Sequence, residues 1–225
     1  MERKINLSVG EFYHIYSRGN NKQIIFLDDN DRNRFSKLLY VCNSIKPVVF
    51  KTIQGTPLDK IDRGKTLVNI GAYCLMPNHF HLLLHEKIEN GTSLFLGKLL
   101  TAYSMYFNKR YERKGGLFDG RFRFAHADTD EYLKYLFSYI HLNPVKTIEP
   151  NWKESGITNS KNANNYLKNY TYSSYPDYVG INREEKLILN VSSFPEYFLN
   201  FKEFEQFINE WLSFKDIQGT PLDNK

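Results

Sequence analysis

Covalent staples and membrane anchors are scarce in this chain. Only two of its 225 residues are cysteines, Cys42 and Cys74, too few for a disulfide framework or a cysteine-based zinc site. No apolar run approaches the roughly 20 residues that a membrane helix needs. The opening residues, Met1 to Asn6, carry charges with no apolar stretch behind them, so no secretory signal is expected. Glycine (13) and proline (8) are sparse, which excludes collagen-like and low-complexity chains. What remains is ordinary globular composition, 41% hydrophobic and 24% charged. A chain of this length buries a core without staples and makes one large domain, or one domain with an extension. A reducing cytoplasm, with nucleoid association, is the expected setting.

The net charge is +5, and its placement says more than its size. Between 98 and 123 stand Lys98, Lys109, Arg110, Arg113, Lys114, Arg121 and Arg123 against Glu112 and Asp119. From Glu184 onward, four basic residues face eight acidic ones. The basic stretch interleaves Tyr103, Tyr106, Phe107, Tyr111, Phe118, Phe122 and Phe124. Charge for phosphates and rings for bases suit nucleic acid. A solvated helix face followed by a strand with buried aromatics fits the composition equally well.

The chain reads as alternating elements. Strands are expected over 11–17, 66–76, 79–86 and 117–126, and helices over 28–45 and 92–113. A third helix opens at Asp128, with Glu131 completing a capping box, and closes at Pro144. The order β-α-β-β-α-β plus a helix is the ferredoxin-like split βαβ order. It predicts an α+β fold, a four-stranded antiparallel sheet with helices on one face. After Pro150 the composition turns to Ser, Asn, Thr and Tyr, which reads as loop over 154–176, then helix over 196–214. The division expected is a unit over 1–147 and a C-terminal extension over 148–225, mostly loop then helix. The heptapeptide Ile53–Asp59 recurs as Ile217–Asp223. It is too short for a repeat architecture.

His79-Phe80-His81 is the sharpest chemical feature. On a strand, i and i+2 share a face, which sets the two imidazoles about 7 Å apart along the backbone. They can hold one divalent cation between them, or pack as core histidines with one hydrogen bond each. On the third helix, Tyr132, Tyr135, Leu136, Tyr139 and Asn143 share a face. If that face covers the histidines, a phenol and an amide oxygen converge on the cation and leave positions open for a phosphate oxygen. Otherwise Tyr139 is a core tyrosine and Asn143 a helix cap. His85 shares the strand face further along, as outer support or core. His141 lies on another face from Tyr139, and His14 and His126 read as structural.

Four ordered segments carry a resemblance. Tyr73-Cys74-Leu75-Met76-Pro77-Asn78-His79-Phe80-His81-Leu82-Leu83 resembles the HUH segment of single-tyrosine transposases, most of all the branch associated with repetitive extragenic palindromes. Tyr13 to Asn20, Gly116 to Phe122 and Tyr139 to Lys146 resemble the other motifs of that branch, and the whole spans roughly 10 to 147. The resemblance implies a ferredoxin-like catalytic unit that cuts single-stranded DNA, usually beside a hairpin, and transfers the strand through a 5′-phosphotyrosine. It assigns Tyr139 as nucleophile and His79, His81 and Asn143 as ligands of Mg²⁺ or Mn²⁺. Arg18, Lys98, Lys109, Arg110, Arg121 and Arg123 are the candidate phosphate contacts. The expected partner is single-stranded DNA with a hairpin and no membrane, the protein acting as monomer or homodimer. The alternatives are a domesticated nucleic-acid binder on the same fold and a metal-dependent phosphoesterase that uses water.

Overall fold

The computed structural model describes residues 7–47, 49–53 and 55–213. The second copy of the repeated heptapeptide lies outside them. Four strands, β1 (Phe12–Arg18), β2 (Val68–Met76), β3 (His79–Glu86) and β4 (Arg123–His126), form one sheet in the order β2-β3-β1-β4, every pair antiparallel. With α1 (Asp29–Cys42) between β1 and β2, and α2 (Gly91–Arg110) between β3 and β4, this is the α+β, ferredoxin-like arrangement that the element order predicts. The fourth strand is shorter than expected. The stretch from 117 contributes only an isolated bridge from Phe118 to Gly19 before regular pairing begins at Arg123.

Local chemistry sets the helices. Asp28 caps α1 by accepting from the Asp31 N–H at 3.1 Å, satisfying one of the orphan donors of the first turn. Phe35, Leu38, Leu39 and Cys42 then line one buried face at helical spacing. Beyond the helix, Asn43 bonds the Val68 carbonyl and accepts from the N–H groups of Leu67 and Val68, pinning the exit of α1 to the start of β2. At α2 the cap is remote in sequence. The fully buried Glu86 carboxylate, at the end of β3, accepts from the N–H and hydroxyl of Thr92, an anion at the positive end of a helix. At α3 (Asp130–Leu142) the cap is Thr129, whose hydroxyl accepts from the Tyr132 N–H at 3.2 Å. The expected Asp128–Glu131 box is thus displaced by one residue.

The helices do not all share a face. Phe80, Leu82 and Leu84 of β3 pack with Ile15, Phe35, Leu38, Leu99 and Tyr103 under α1 and α2. On the other side, Leu83, Cys74 and Met76 pack against Leu133, Leu136 and Ile140 of α3. The one-face expectation fails because α3 follows the last strand and has only the uncovered face to bury against. Pairing between β2 and β3 slips between Ile70 and Ala72, so β2 residues on the two sides of Gly71 change parity. At Gly71 an added Cβ would lie 2.6 Å from the Phe194 ring.

The remaining described residues close the β2 edge. They hold α4 (Trp152–Ser155), α5 (Ser160–Asn169), α6 (Tyr175–Tyr178) and α7 (Phe201–Ser213). The loop expected over 154–176 is therefore in part a helix. The Tyr172 carbonyl accepts from Leu75 N–H, Ser174 N–H donates to the Tyr73 carbonyl, and Asn190 N–H donates to the Ile70 carbonyl. Arg183 joins Asp177 at 2.6 Å and the Tyr73 hydroxyl at 3.0 Å. Backbone groups that would leave a strand edge open are thereby occupied. A further cluster of Leu142, Val145, Trp152, Leu167, Phe204 and Ile208 ties α7 and α5 to the end of α3.

Candidate functional site

Alternation along β3 sends His79 and His81 toward α3 and its three apolar neighbours, Phe80, Leu82 and Leu84, toward α1 and α2. β1 lies beside β3 with Tyr16 opposite His81 and Arg18 opposite His79. His14 and Tyr16 therefore stand on the same face as the two histidines. α3 crosses above them and sets Tyr139 there. The His79 and His81 ring centroids are 4.9 Å apart, at 89°. The Tyr139 ring meets His81 edge-on at 5.5 Å and His14 at 5.6 Å.

Hydrogen bonds orient both histidines of the motif. His79 Nδ1 lies 2.6 Å from Asn78 Oδ1, and His81 Nδ1 lies 2.9 Å from His14 Nε2. In each imidazole Nδ1 is thus held by a second group, as in metal-binding histidines that ligate through Nε2. Burial pushes the His79 ring down to about 4, with Lys146 and Arg18 adding to the effect. Both rings that flank Tyr139 are buried, and burial alone pushes His14 down to about 3. The neutral imidazole favoured at His79 is the form that binds a cation.

Asn143 is buried and opens the 3₁₀ turn Asn143–Thr147 after α3. Its Nδ2 donates to the Tyr139 carbonyl at 2.8 Å, so the amide is locked one turn from the candidate nucleophile and Oδ1 is the atom available to a cation. Among the described residues, no three His, Cys, Asp or Glu side chains converge on one point. A cation here would rest on two imidazoles and an amide oxygen, and this donor set fits a divalent ion that keeps water or phosphate ligands.

Two cavities meet at Tyr16. One, of about 450 Å³, holds His14, His81, Phe124, His126, Tyr132 and Tyr139 around it. The other, about 280 Å³, brings Arg18, Lys22, His79, Arg121 and Arg123 together around Asp119. The histidine pair thus straddles an aromatic hollow and a cationic cleft.

Residues 59–143 match the family model described as IS200-like transposase. The match covers 85 of the 225 residues. It runs from the loop before β2 to Asn143 and includes His79, His81 and Tyr139. A solved structure of a REP-associated tyrosine transposase bound to a REP hairpin aligns with 87% of this chain and 94% of its own, at 14% identity and a TM-score of 0.46. No curated protein matches the chain in sequence.

The two faces of the sheet separate the six candidate phosphate contacts into two groups. Arg18, Arg121 and Arg123 stand in the cleft beside His79, with Arg18 and Arg123 sharing Asp119 at 3.1 and 3.4 Å. Lys98, Lys109 and Arg110 lie on α2, which packs against the opposite face of the sheet. There Lys98 donates to the carbonyls of Ser44 and Lys46 just past α1. Arg110 pairs with Asp28 and with the fully buried Asp31. Those three do not join the site.

The remaining histidines are accounted for by packing. His85 bonds Asn69 at 2.9 Å and packs against Phe12. His126 pairs with Glu11 at 2.7 Å. His141, fully buried, holds the Phe137 carbonyl and the Ser174 hydroxyl. His14 is the residue that sequence reasoning missed. The signal was present, because His14 and Tyr16 alternate on β1 as His79 and His81 do on β3. Using it requires the adjacency of β1 and β3, which the ferredoxin-like order itself supplies.

Among the described residues no helix is long and apolar enough to cross a membrane.

Proposed function

We propose that the protein cuts single-stranded DNA beside a hairpin and transfers the cut strand through a 5′-phosphotyrosine on Tyr139, in the service of DNA transposition or a related host process, with Mg²⁺ or Mn²⁺ held by His79, His81 and Asn143. The catalytic unit is the stretch 1–147, braced by described residues of the stretch 148–213. The observation that carries this reading is the Tyr139 ring standing 5.5 Å from His81, itself 4.9 Å from His79, at the junction of an aromatic and a cationic cavity.

A free phenol has a pKa near 10, so at neutral pH it is a weak nucleophile. A divalent cation bound at this position neutralises phosphate charge and polarises phosphorus. The chain supplies the rest. α3 fixes the Tyr139 oxygen over the sheet face where Arg18, Arg121 and Arg123 can hold the flanking phosphates. In the reaction the phenol oxygen bonds to phosphorus and the phosphorus bond to the 3′ oxygen breaks. The phenol gives up its proton, the departing oxygen gains one as a 3′-OH, and the phosphoryl group stays esterified to Tyr139. The ester keeps the energy of the broken phosphodiester, so a second 3′-OH can reverse the step or join a new strand without ATP.

The test is a denaturing gel with end-labelled hairpin DNA from the flanks of the gene, with and without Mn²⁺. The expected result is label travelling with the protein only when metal is present, and no such band for Tyr139→Phe. An adduct in the Tyr139→Phe protein would overturn the assignment. Cleavage with no adduct would point instead to a phosphoesterase that uses water.

A further inference from the structure

His14 lies outside the matched segment 59–143, yet it makes a short polar contact with His81. Its Nε2 is 2.9 Å from His81 Nδ1, with the two residues only 1% and 6% exposed. The ring centroids are 5.1 Å apart and the planes differ by 14°. A separation that large, with the nitrogens already in contact, means that the rings meet edge to edge and nearly coplanar. The lone pair of one nitrogen points along the N–H of the other. The second nitrogen of His14, Nδ1, is buried with no hydrogen-bond partner.

A neutral imidazole carries one N–H, on one nitrogen or the other. Two tautomeric arrangements therefore satisfy the contact. In the first, His14 Nε2–H donates and His81 carries its proton on Nε2, where no cation can bind. In the second, His81 Nδ1–H donates, its Nε2 presents a lone pair, and His14 carries its proton on the buried Nδ1. Both arrangements leave the buried His14 Nδ1 unpaired, as an acceptor in the first and as a donor in the second, and only the second can ligate.

We propose that His14 is a positioning residue which, by accepting from His81 Nδ1–H, holds His81 in the tautomer that binds the catalytic cation. This rests on the metal site described under Proposed function. His14 is not itself a ligand alongside His79 and His81, since those three side chains do not converge on one point.

Two readouts separate a positioning role from packing. In the full chain labelled with ¹⁵N-histidine, long-range ¹H–¹⁵N spectra report the tautomer of His81. The expected result is a proton on Nδ1 at saturating Mg²⁺. Mn²⁺ uptake, followed by the paramagnetic resonance of the free ion, is then measured in His14→Phe, which keeps a ring but has no acceptor, and in His14→Gln, whose amide oxygen can accept. His14→Phe should bind Mn²⁺ about 10- to 100-fold more weakly, the usual loss when a partner outside the ligand set is removed. His14→Gln should stay within a few-fold of wild type.

Wild-type uptake of Mn²⁺ with His14→Phe unchanged would overturn the inference and leave the metal site standing. A wild-type protein that takes up no Mn²⁺ would overturn the metal site and the inference with it. Should His14→Phe fail to fold, the wild-type spectra decide, because a proton on His81 Nε2 at saturating Mg²⁺ overturns the proposal.

Discussion

The two faces of the sheet are built from the same strands and do opposite work. Under α1 and α2, Ile15, Phe80, Leu82 and Leu84 are wholly buried among aromatic rings. Burial of these apolar side chains is favourable, and the carboxylates buried on that side, Glu86 and Asp31, are hydrogen-bonded. Under α3, the alternate positions of those strands are His14, Tyr16, His79 and His81. Burial there strips water from imidazoles, leaves one nitrogen unpaired and opens a cavity in place of a packed layer. One face supplies the stability that the other gives up for chemistry. The comparison is broken if a change on the apolar face alters chemistry before it alters stability, or the reverse.

The largest expected effect is on the polar face. Tyr139→Phe removes the hydroxyl of a half-buried ring and should lower covalent DNA attachment to background. Thermal unfolding should shift by little, since aromatic contacts with His14, His81 and Tyr135 survive. A large fall in melting temperature would mean that Tyr139 belongs to the core and not to the chemistry.

Next comes a matched pair on neighbouring residues of β3. Phe80→Ala empties a fully buried position and should cost about 3–5 kcal/mol of stability, with Mn²⁺ affinity unchanged in the molecules that remain folded. His79→Ala, at a partly exposed position, should cost much less stability, about 1 kcal/mol, and abolish Mn²⁺ uptake. Denaturant unfolding and Mn²⁺ titration of both variants give the four numbers. If Phe80→Ala alone loses metal while stability holds, the division between faces is wrong.

A smaller effect appears with pH. Burial lowers both His14 and His141 to about 3, from an ordinary value of 6.5. For a group with a depressed folded pKa, the unfolded chain takes up the proton first as pH falls. Its contribution is therefore complete above about 6.5 and is lost progressively toward 3, at about 1.4 kcal/mol per pH unit for each histidine. Melting temperature should be flat near neutrality and fall between pH 6.5 and 4. His141→Gln should flatten part of that slope, because its partners Phe137 and Ser174 would no longer face a titrating ring. An unchanged slope would mean that His141 is protonated in the folded state.

How much of this was legible in the sequence follows the same division. Strand and helix order, the hairpin at Pro77-Asn78 and the inward residues of α2 can be read from periodicity, because an apolar face obeys a period. The pairing of His79 with His81 is legible for the same reason. The side of the sheet that α3 covers is not, since an amphipathic pattern names a face without naming what it meets. α5 is also hidden. Its Ser, Asn and Tyr composition reads as loop, and only Ala163 and Leu167, four apart and fully buried, reveal the helix. The contact of His14 with His81 joins positions 67 residues apart and needs the sheet order before it can be seen. Among the basic residues, charge density alone cannot tell a lysine aimed at solvent from one spent on a carbonyl.

That last ambiguity yields the smallest expected effect. Arg18 and Arg123 share Asp119 in a cleft open to solvent, and an exposed pair of this kind contributes about 0–1 kcal/mol. Replacing either with Gln should hardly move the melting temperature. Each arginine that contacts a phosphate should, however, reduce the slope of log affinity against log salt by about 0.7 for single-stranded DNA. Lys98 offers the control from the other face. Its ammonium is held by the Ser44 and Lys46 carbonyls, so Lys98→Gln should loosen the end of α1 and leave the salt slope where it was. Fluorescence anisotropy of labelled hairpin DNA across a salt series measures all three. If Lys98→Gln lowers the slope as much as Arg18→Gln does, DNA wraps both faces of the sheet, and the assignment of chemistry to one face alone fails.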